Sequence, residues 1–139
     1  TILKSLQSAY DYIIIDMPSR FYEPINPAFV FSETLYVVTT PEILSVRNTK
    51  GAIVTLTDFN YPKSKIKVVV NKHMKTGEIK TADIEKTLGY EVSYTVADDY
   101  LKAISSMNQG FPYVVKHPKS DTAKNIHMMV RDILASAKP

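Results

Sequence analysis

Cysteine is absent from this chain, which rules out disulfide staples, thiolate zinc sites and a cysteine nucleophile. A chain without disulfides suits a reducing compartment, and the cytoplasm is its expected location. Glycine is nearly as scarce. The four glycines, Gly51, Gly77, Gly89 and Gly110, are followed by Ala52, Glu78, Tyr90 and Phe111. None opens the Gly-Lys pair that a phosphate-cradling Walker A loop requires, so these 139 residues carry no P-loop. A G-x-G-x-x-G fingerprint, a G-x-S-x-G elbow and an H-E-x-x-H pair are missing as well. His73, His117 and His127 are too scattered for a metal cluster. No apolar run approaches the roughly 18 to 20 residues needed to span a bilayer, and Thr1 to Tyr10 lack the apolar core of a signal peptide.

What is present describes a globular chain. With 45% hydrophobic, 22% charged and 10% aromatic residues, 139 residues suit one compact domain. Seventeen Lys and Arg against fourteen Asp and Glu leave a net charge of +3. That excess is spread along the sequence and reads as a solvated surface, so DNA binding is not expected.

The apolar pattern alternates between two periods. Ile2, Leu3, Leu6 and Ala9 fall at helical spacing, so Thr1 to Ser8 reads as the last turns of a helix. Apolar runs at Tyr12 to Ile15, Leu35 to Val38 and Ile66 to Val70, the last interrupted only by Lys67, read as short strands, the first and third buried on both faces; Glu91 to Val96 reads as a fourth. Between them the spacing predicts helices over Pro41 to Phe59, capped by Thr40, over Thr81 to Leu88, ended by Gly89, and over Tyr100 to Asn108, ended by Gly110. Ser120 and Asp121 start a last helix whose Ala123, Ile126, Val130, Ile133, Leu134 and Ala137 share the face expected to pack on the sheet. Strands separated by helices give an α/β fold with a mainly parallel sheet and helices on both faces.

In such a sheet ligands bind beyond the carboxyl ends of the strands. The residues there are Asp16-Met17-Pro18-Ser19-Arg20, Thr39-Thr40, Asn71-Lys72 and Ala97-Asp98-Asp99. An aspartate at a strand end can hold Mg²⁺ through water, since a hard cation prefers oxygen, and it can equally serve only to turn the chain.

Five stretches carry a resemblance. Tyr10-Asp11-Tyr12-Ile13-Ile14-Ile15-Asp16-Met17-Pro18 resembles the "YDYIIIDTPP" stretch of the ParA/MinD family of deviant Walker A ATPases. Val37 to Glu42 with Ser45-Val46-Arg47 is similar to that family's "VTTPE..S.R" passage, and Val68 to Lys72 to its "VVNR" strand. Ala103 to Pro112, with Asn108-Gln109-Gly110-Phe111-Pro112, resembles its "A...GQP" segment, and Pro118-Lys119-Ser120 the "PKS" of its CpaE/TadZ pilus-assembly branch. The likeness spans nearly the whole chain, in order.

The resemblance implies an incomplete P-loop NTPase-like domain, residues 1–139 being its C-terminal part with the P-loop upstream of Thr1. It implies ATP and Mg²⁺ as cofactors. Asp16 would belong to the Mg²⁺ and attacking-water network, and Asn71 would contact the adenine with its amide as donor and acceptor. Val96, Ala97 and Asp98 would pass beside the purine, and Met17, Pro18, Ser19 and Arg20 would form the switch. Met-Pro-Ser-Arg replaces the family's Pro-Pro-Gly type of switch and lacks its glycine, which favours a non-hydrolysing scaffold as the alternative to an ATPase. The implied protein is a homodimer that positions pilus or secretion machinery, cytoplasmic, polar or membrane-peripheral through its partners and not itself inserted in the membrane. ATP hydrolysis would need the P-loop to be supplied.

Overall fold

The computed structural model describes residues 2–18 and 27–136. In chain order they form α1 (Ile2–Gln7), α2 (Pro27–Phe31), β1 (Leu35–Thr39), α3 (Ile43–Asp58), a short 3₁₀ turn (Lys63–Lys65), β2 (Ile66–His73), α4 (Thr81–Leu88), β3 (Val92–Ala97), α5 (Tyr100–Asn108), α6 (Tyr113–Lys116) and α7 (Asp121–Ser136). The chain divides into two units, Thr1–Leu35 and Tyr36–Pro139.

The first unit holds α1, which buries no residue, and α2, whose Ala28 and Phe29 are buried. Between them the expected strand Tyr12 to Ile15 is not a strand. Its residues adopt no regular structure, and Ile14 is 93% exposed. Apolar side chains alone do not make a strand: it exists only with a ladder partner, and this segment has none among the described residues.

The second unit is built around β2, which shows why a run of consecutive valines is stable. Neighbouring side chains point to opposite faces of a sheet, and both faces here are covered. Val68 and Val70 join Val46 and Ile53 of α3 and Ile84 and Leu88 of α4 in one core cluster. Val69 joins Tyr94 and Val96 on the other face, with Tyr36 and with Ile126 and Met129 of α7 packed against them. Ile84 and Leu88 are almost fully buried, so truncating either to Ala would cost about 2–5 kcal/mol.

The strands form one parallel sheet in the order β1-β2-β3. The pairing of β2 with β3 slips twice. Val68 lies opposite Val92 and Val69 opposite Tyr94, so Ser93 is an extra residue on β3. As a result Val92 packs in the first cluster and Tyr94 in the second, although both share one alternation parity. Val70 then pairs with Thr95 and His73 with Ala97, which places one extra residue on β2 at Asn71-Lys72. Lys72 there has φ +53°.

Several expected boundaries shift for local reasons. Helix α3 starts at Ile43 with Glu42, not Thr40, as its cap residue, because the Glu42 N–H donates to the Thr40 carbonyl at 2.8 Å and closes a turn first. β2 runs on to His73 through the bulge. On α7 the packed face is rotated: Ile126 and Met129 pack on the sheet and Ala123 is buried, while Val130 and Leu134 are 44% and 52% exposed and Ala137 lies outside the described residues. Helix α4 agrees closely with its sequence signals. The Lys80 N–H donates to Asp83 Oδ2 at its start, and Gly89 closes its end at φ +75° with its N–H on the Glu85 carbonyl. Among the described residues no helix is long and apolar enough to cross a membrane.

Candidate functional site

The carboxyl ends of the three strands bring together Thr39-Thr40, Asn71-Lys72-His73 and Val96 to Asp99. Each end is held by side chains as well as by the ladder.

At the end of β1, Thr39 is only 1% exposed. Its hydroxyl lies 3.0 Å from Ser45 Oγ, which also accepts the Thr40 N–H at 3.0 Å. One serine in the first turn of α3 thereby fixes the passage from strand to helix.

At the end of β2, the Lys72 N–H donates to Asn71 Oδ1 at 2.9 Å, a local bond of the kind that lets Asn shape a turn. The Asn71 amide oxygen therefore uses part of its acceptor capacity on the main chain. The Nδ2 donors are left for a ligand. Lys72 sits in the left-handed region, which a lysine enters only at a cost of about 1–2 kcal/mol. A strained main chain at a strand end is a common property of binding sites.

At the end of β3, the Asp98 N–H donates to the His73 carbonyl at 3.1 Å and ties the ends of β2 and β3 together. The Ala97 N–H donates to Asn125 Oδ1 at 3.1 Å, and Thr122 Oγ1 donates to the Ala97 carbonyl at 2.9 Å. Asp99 precedes α5 but makes no side-chain capping bond. Its carboxylate instead accepts from Lys102 Nζ and from the Tyr113 hydroxyl, each at 2.7 Å. These two donors, Lys102 first, hold the Asp99 carboxyl below its ordinary range, and the carboxylate in turn raises Lys102. Val96 is buried, Ala97 half-buried and Asp98 exposed.

Of the residues expected from sequence, Asn71, Val96, Ala97 and Asp98 thus meet at one end of the sheet. Asp16 belongs to the first unit, where it is exposed, with Met17 half-buried and Pro18 exposed beside it. Ser19 and Arg20 lie outside the described residues. The sequence reading missed Ser45, Lys102, Tyr113, Thr122 and Asn125 as anchors of the strand ends. Only Lys102 had a usable signal, its i, i+3 spacing from Asp99.

The chemistry of this set fits a nucleotide. Amide donors at Asn71 suit a ring nitrogen of a base, and a shaped main-chain turn stands beside them. Among the described residues no group of three or more His, Asp or Glu is arranged to hold a metal ion without further ligands.

No family model matches the chain. It is 34% identical over 143 residues to the septum site-determining protein MinD of Thermotoga maritima, covering 99% of this chain and 52% of that protein. It is 29% identical to the MinD of Bacillus subtilis, again over 52% of that protein. The chain spans about half the length of the curated relatives it matches. Among solved structures, MinD in the Aquifex aeolicus MinC:MinD complex superposes with a TM-score of 0.81 at 24% identity, covering 99% of this chain and 58% of that one. The Pyrococcus horikoshii MinD complexed with Mg-ADP gives 0.78 at 22%, covering 99% and 57%.

Proposed function

We infer, for a chain whose homologues are the MinD proteins of the ParA/MinD family, that it is the C-terminal part of a nucleotide-dependent dimerising ATPase whose P-loop lies upstream of residue 1. The observation that carries this reading is the meeting of Asn71 with the Ala97-Asp98 turn across the His73 to Asp98 hydrogen bond. Two strand ends joined in this way form a shelf at the place where open parallel sheets take their ligands.

In this reading Asn71 donates from Nδ2 to the base, and Val96, Ala97 and Asp98 pass along its edge. Asp16 holds Mg²⁺ through water, and Met17 to Arg20 form the segment that responds to the terminal phosphate. Mg²⁺ in such a site neutralises phosphate charge. The chain's own contribution is to orient the nucleotide and to exclude water through a second copy. The protein acts in the cytoplasm and reaches any surface or pole through its partners.

The finer reading, positioning of pilus or secretion machinery in the CpaE/TadZ manner, rests on Pro118-Lys119-Ser120. Ser120 has a local duty too: its Oγ accepts the Ala123 N–H at 3.1 Å and starts α7. The non-hydrolysing scaffold rests on Met17 to Arg20, where no glycine stands.

Titration of Mg-ATP into the full-length native protein separates these readings. The switch requires binding that Asn71→Ala weakens and turnover that Asp16→Ala abolishes. Binding without turnover in the wild type selects the scaffold that still reads nucleotide, and no binding overturns the nucleotide site.

A further inference from the structure

The turn that leaves β3 is fastened by side chains from all three helices that follow it. Thr122 and Asn125 stand three residues apart near the start of α7 and so share a helix face. Together they occupy both main-chain polar groups of one residue: Thr122 Oγ1 donates to the Ala97 carbonyl at 2.9 Å, and the Ala97 N–H donates to Asn125 Oδ1 at 3.1 Å. Two residues on, the Asp99 carboxylate accepts from the Tyr113 hydroxyl of α6 and the Lys102 ammonium of α5. Between them, the Asp98 N–H is held by the His73 carbonyl at the end of β2.

Three successive residues are therefore each anchored by a different part of the fold, while the Asp98 side chain stays exposed. A connection that only had to pass from strand to helix would not need this. Asp99 stands at the cap position of α5, yet its carboxylate also reaches the Tyr113 hydroxyl of α6 and the Lys102 ammonium.

We propose that Thr122, Asn125 and Tyr113 are positioning residues that hold the turn 97–99 in the shape that receives a purine base. The inference rests on the nucleotide reading above and deepens it. A ligand that meets an ordered turn does not have to order it, and an interaction kept in that way strengthens the base part of binding and leaves the phosphate part alone. Thr122→Val keeps the shape of the side chain and removes its donor, so the Ala97 carbonyl loses its partner. Tyr113→Phe removes one hydroxyl and keeps the ring that lies 5.3 Å from His117.

The test is calorimetric titration of the full-length native protein with two probes in the presence of Mg²⁺, ATP and inorganic tripolyphosphate, which has no base. Thr122→Val is expected to weaken ATP roughly tenfold and to leave tripolyphosphate unchanged, with Thr122→Ser restoring ATP affinity. Tyr113→Phe should act in the same direction, and it carries the test if Thr122→Val does not fold. Unchanged ATP affinity in the variants of a protein that binds ATP overturns the positioning role alone. Equal weakening of both probes also overturns it, since that is general loosening. A wild type that does not bind ATP overturns the nucleotide reading and this inference with it.

Discussion

The Lys50 ammonium on α3 donates to the main-chain carbonyl of Leu88, the last residue of α4, at 2.9 Å. The final carbonyls of a helix carry partial negative charge and have no partner within it. Lys63 adds a longer bond, 3.4 Å, to the carbonyl of Gly89 just beyond. The end of α4 is thus closed by two cations from outside the helix, one of them on the helix that shares its core cluster.

Replacing Lys50 by Met keeps the aliphatic stem and removes the donor. The expected loss is about 1–2 kcal/mol of stability. It would be read as a lower urea midpoint at unchanged slope, and an unchanged midpoint would show that solvent takes over the carbonyl.

Gly89 and Lys72 should respond in opposite directions. Gly89 has φ +75°, and an added Cβ would meet only Lys50 Nζ at 3.8 Å, an ordinary contact. Gly89→Ala therefore costs its conformational strain, about 1 kcal/mol. Lys72 already bears that strain at φ +53°, so Lys72→Gly should stabilise by up to about 1 kcal/mol. Thermal unfolding of the two variants gives both signs.

Ser45→Ala removes the group shared by Thr39 and Thr40. Thr39 is buried, so its hydroxyl is left with a long 3.4 Å bond to the Thr40 carbonyl. A destabilisation of about 1–2 kcal/mol is expected. Amide exchange should quicken at Thr40 more than in β2.

Acid sensitivity should centre on Asp99. Its folded pKa lies below the ordinary 3.8, through hydrogen bonds from Lys102 and then Tyr113. Such a group adds stability above its unfolded pKa and loses that contribution as pH falls through the folded value. Asp99→Asn should flatten the fall in Tm below about pH 4, and Tyr113→Phe should do so in part. At the alkaline end Tyr94 has the reverse role. Burial first, then the Asp132 charge, raises its pKa above 10.0. The unfolded chain releases that proton earlier, so stability falls as pH rises beyond about 10, and Tyr94→Phe should make that limb less steep.

The sequence made most of the second unit legible because its signals were local. Gly89 marked the end of α4, and the valines of β2 marked a strand covered on both faces. Tyr12 to Ile15 carries the same apolar signal and is no strand, since side-chain character cannot supply a ladder partner. The rotated face of α7 was hidden because Val130 and Leu134 fit a helical period as well as Met129 does, and only packing against Tyr94 and Val96 decides between them. At the candidate site, Asn71 and the 96–98 turn could be placed from strand ends alone. Tyr113, Thr122 and Asn125 could not, because their bonds span 14 to 28 residues and no spacing rule connects them.

The two slips between β2 and β3 are complementary. The extra residue on β3 at Ser93 shifts the pairing by one, and the extra residue on β2 at Asn71-Lys72 returns it, so His73 and Ala97 end in the register that Val68 and Val92 began. Tolerance of this sheet to insertion and deletion is therefore conditional. Removing Ser93 alone would make Val92 and Tyr94 neighbours, which alternation points to the two faces they already occupy, but it would leave the slip at Asn71-Lys72 without its counterpart, whereas removing one residue from each strand would cancel both slips and keep the strand ends level. The ladder would then be regular, with Val92 and Tyr94 still pointed at different cores.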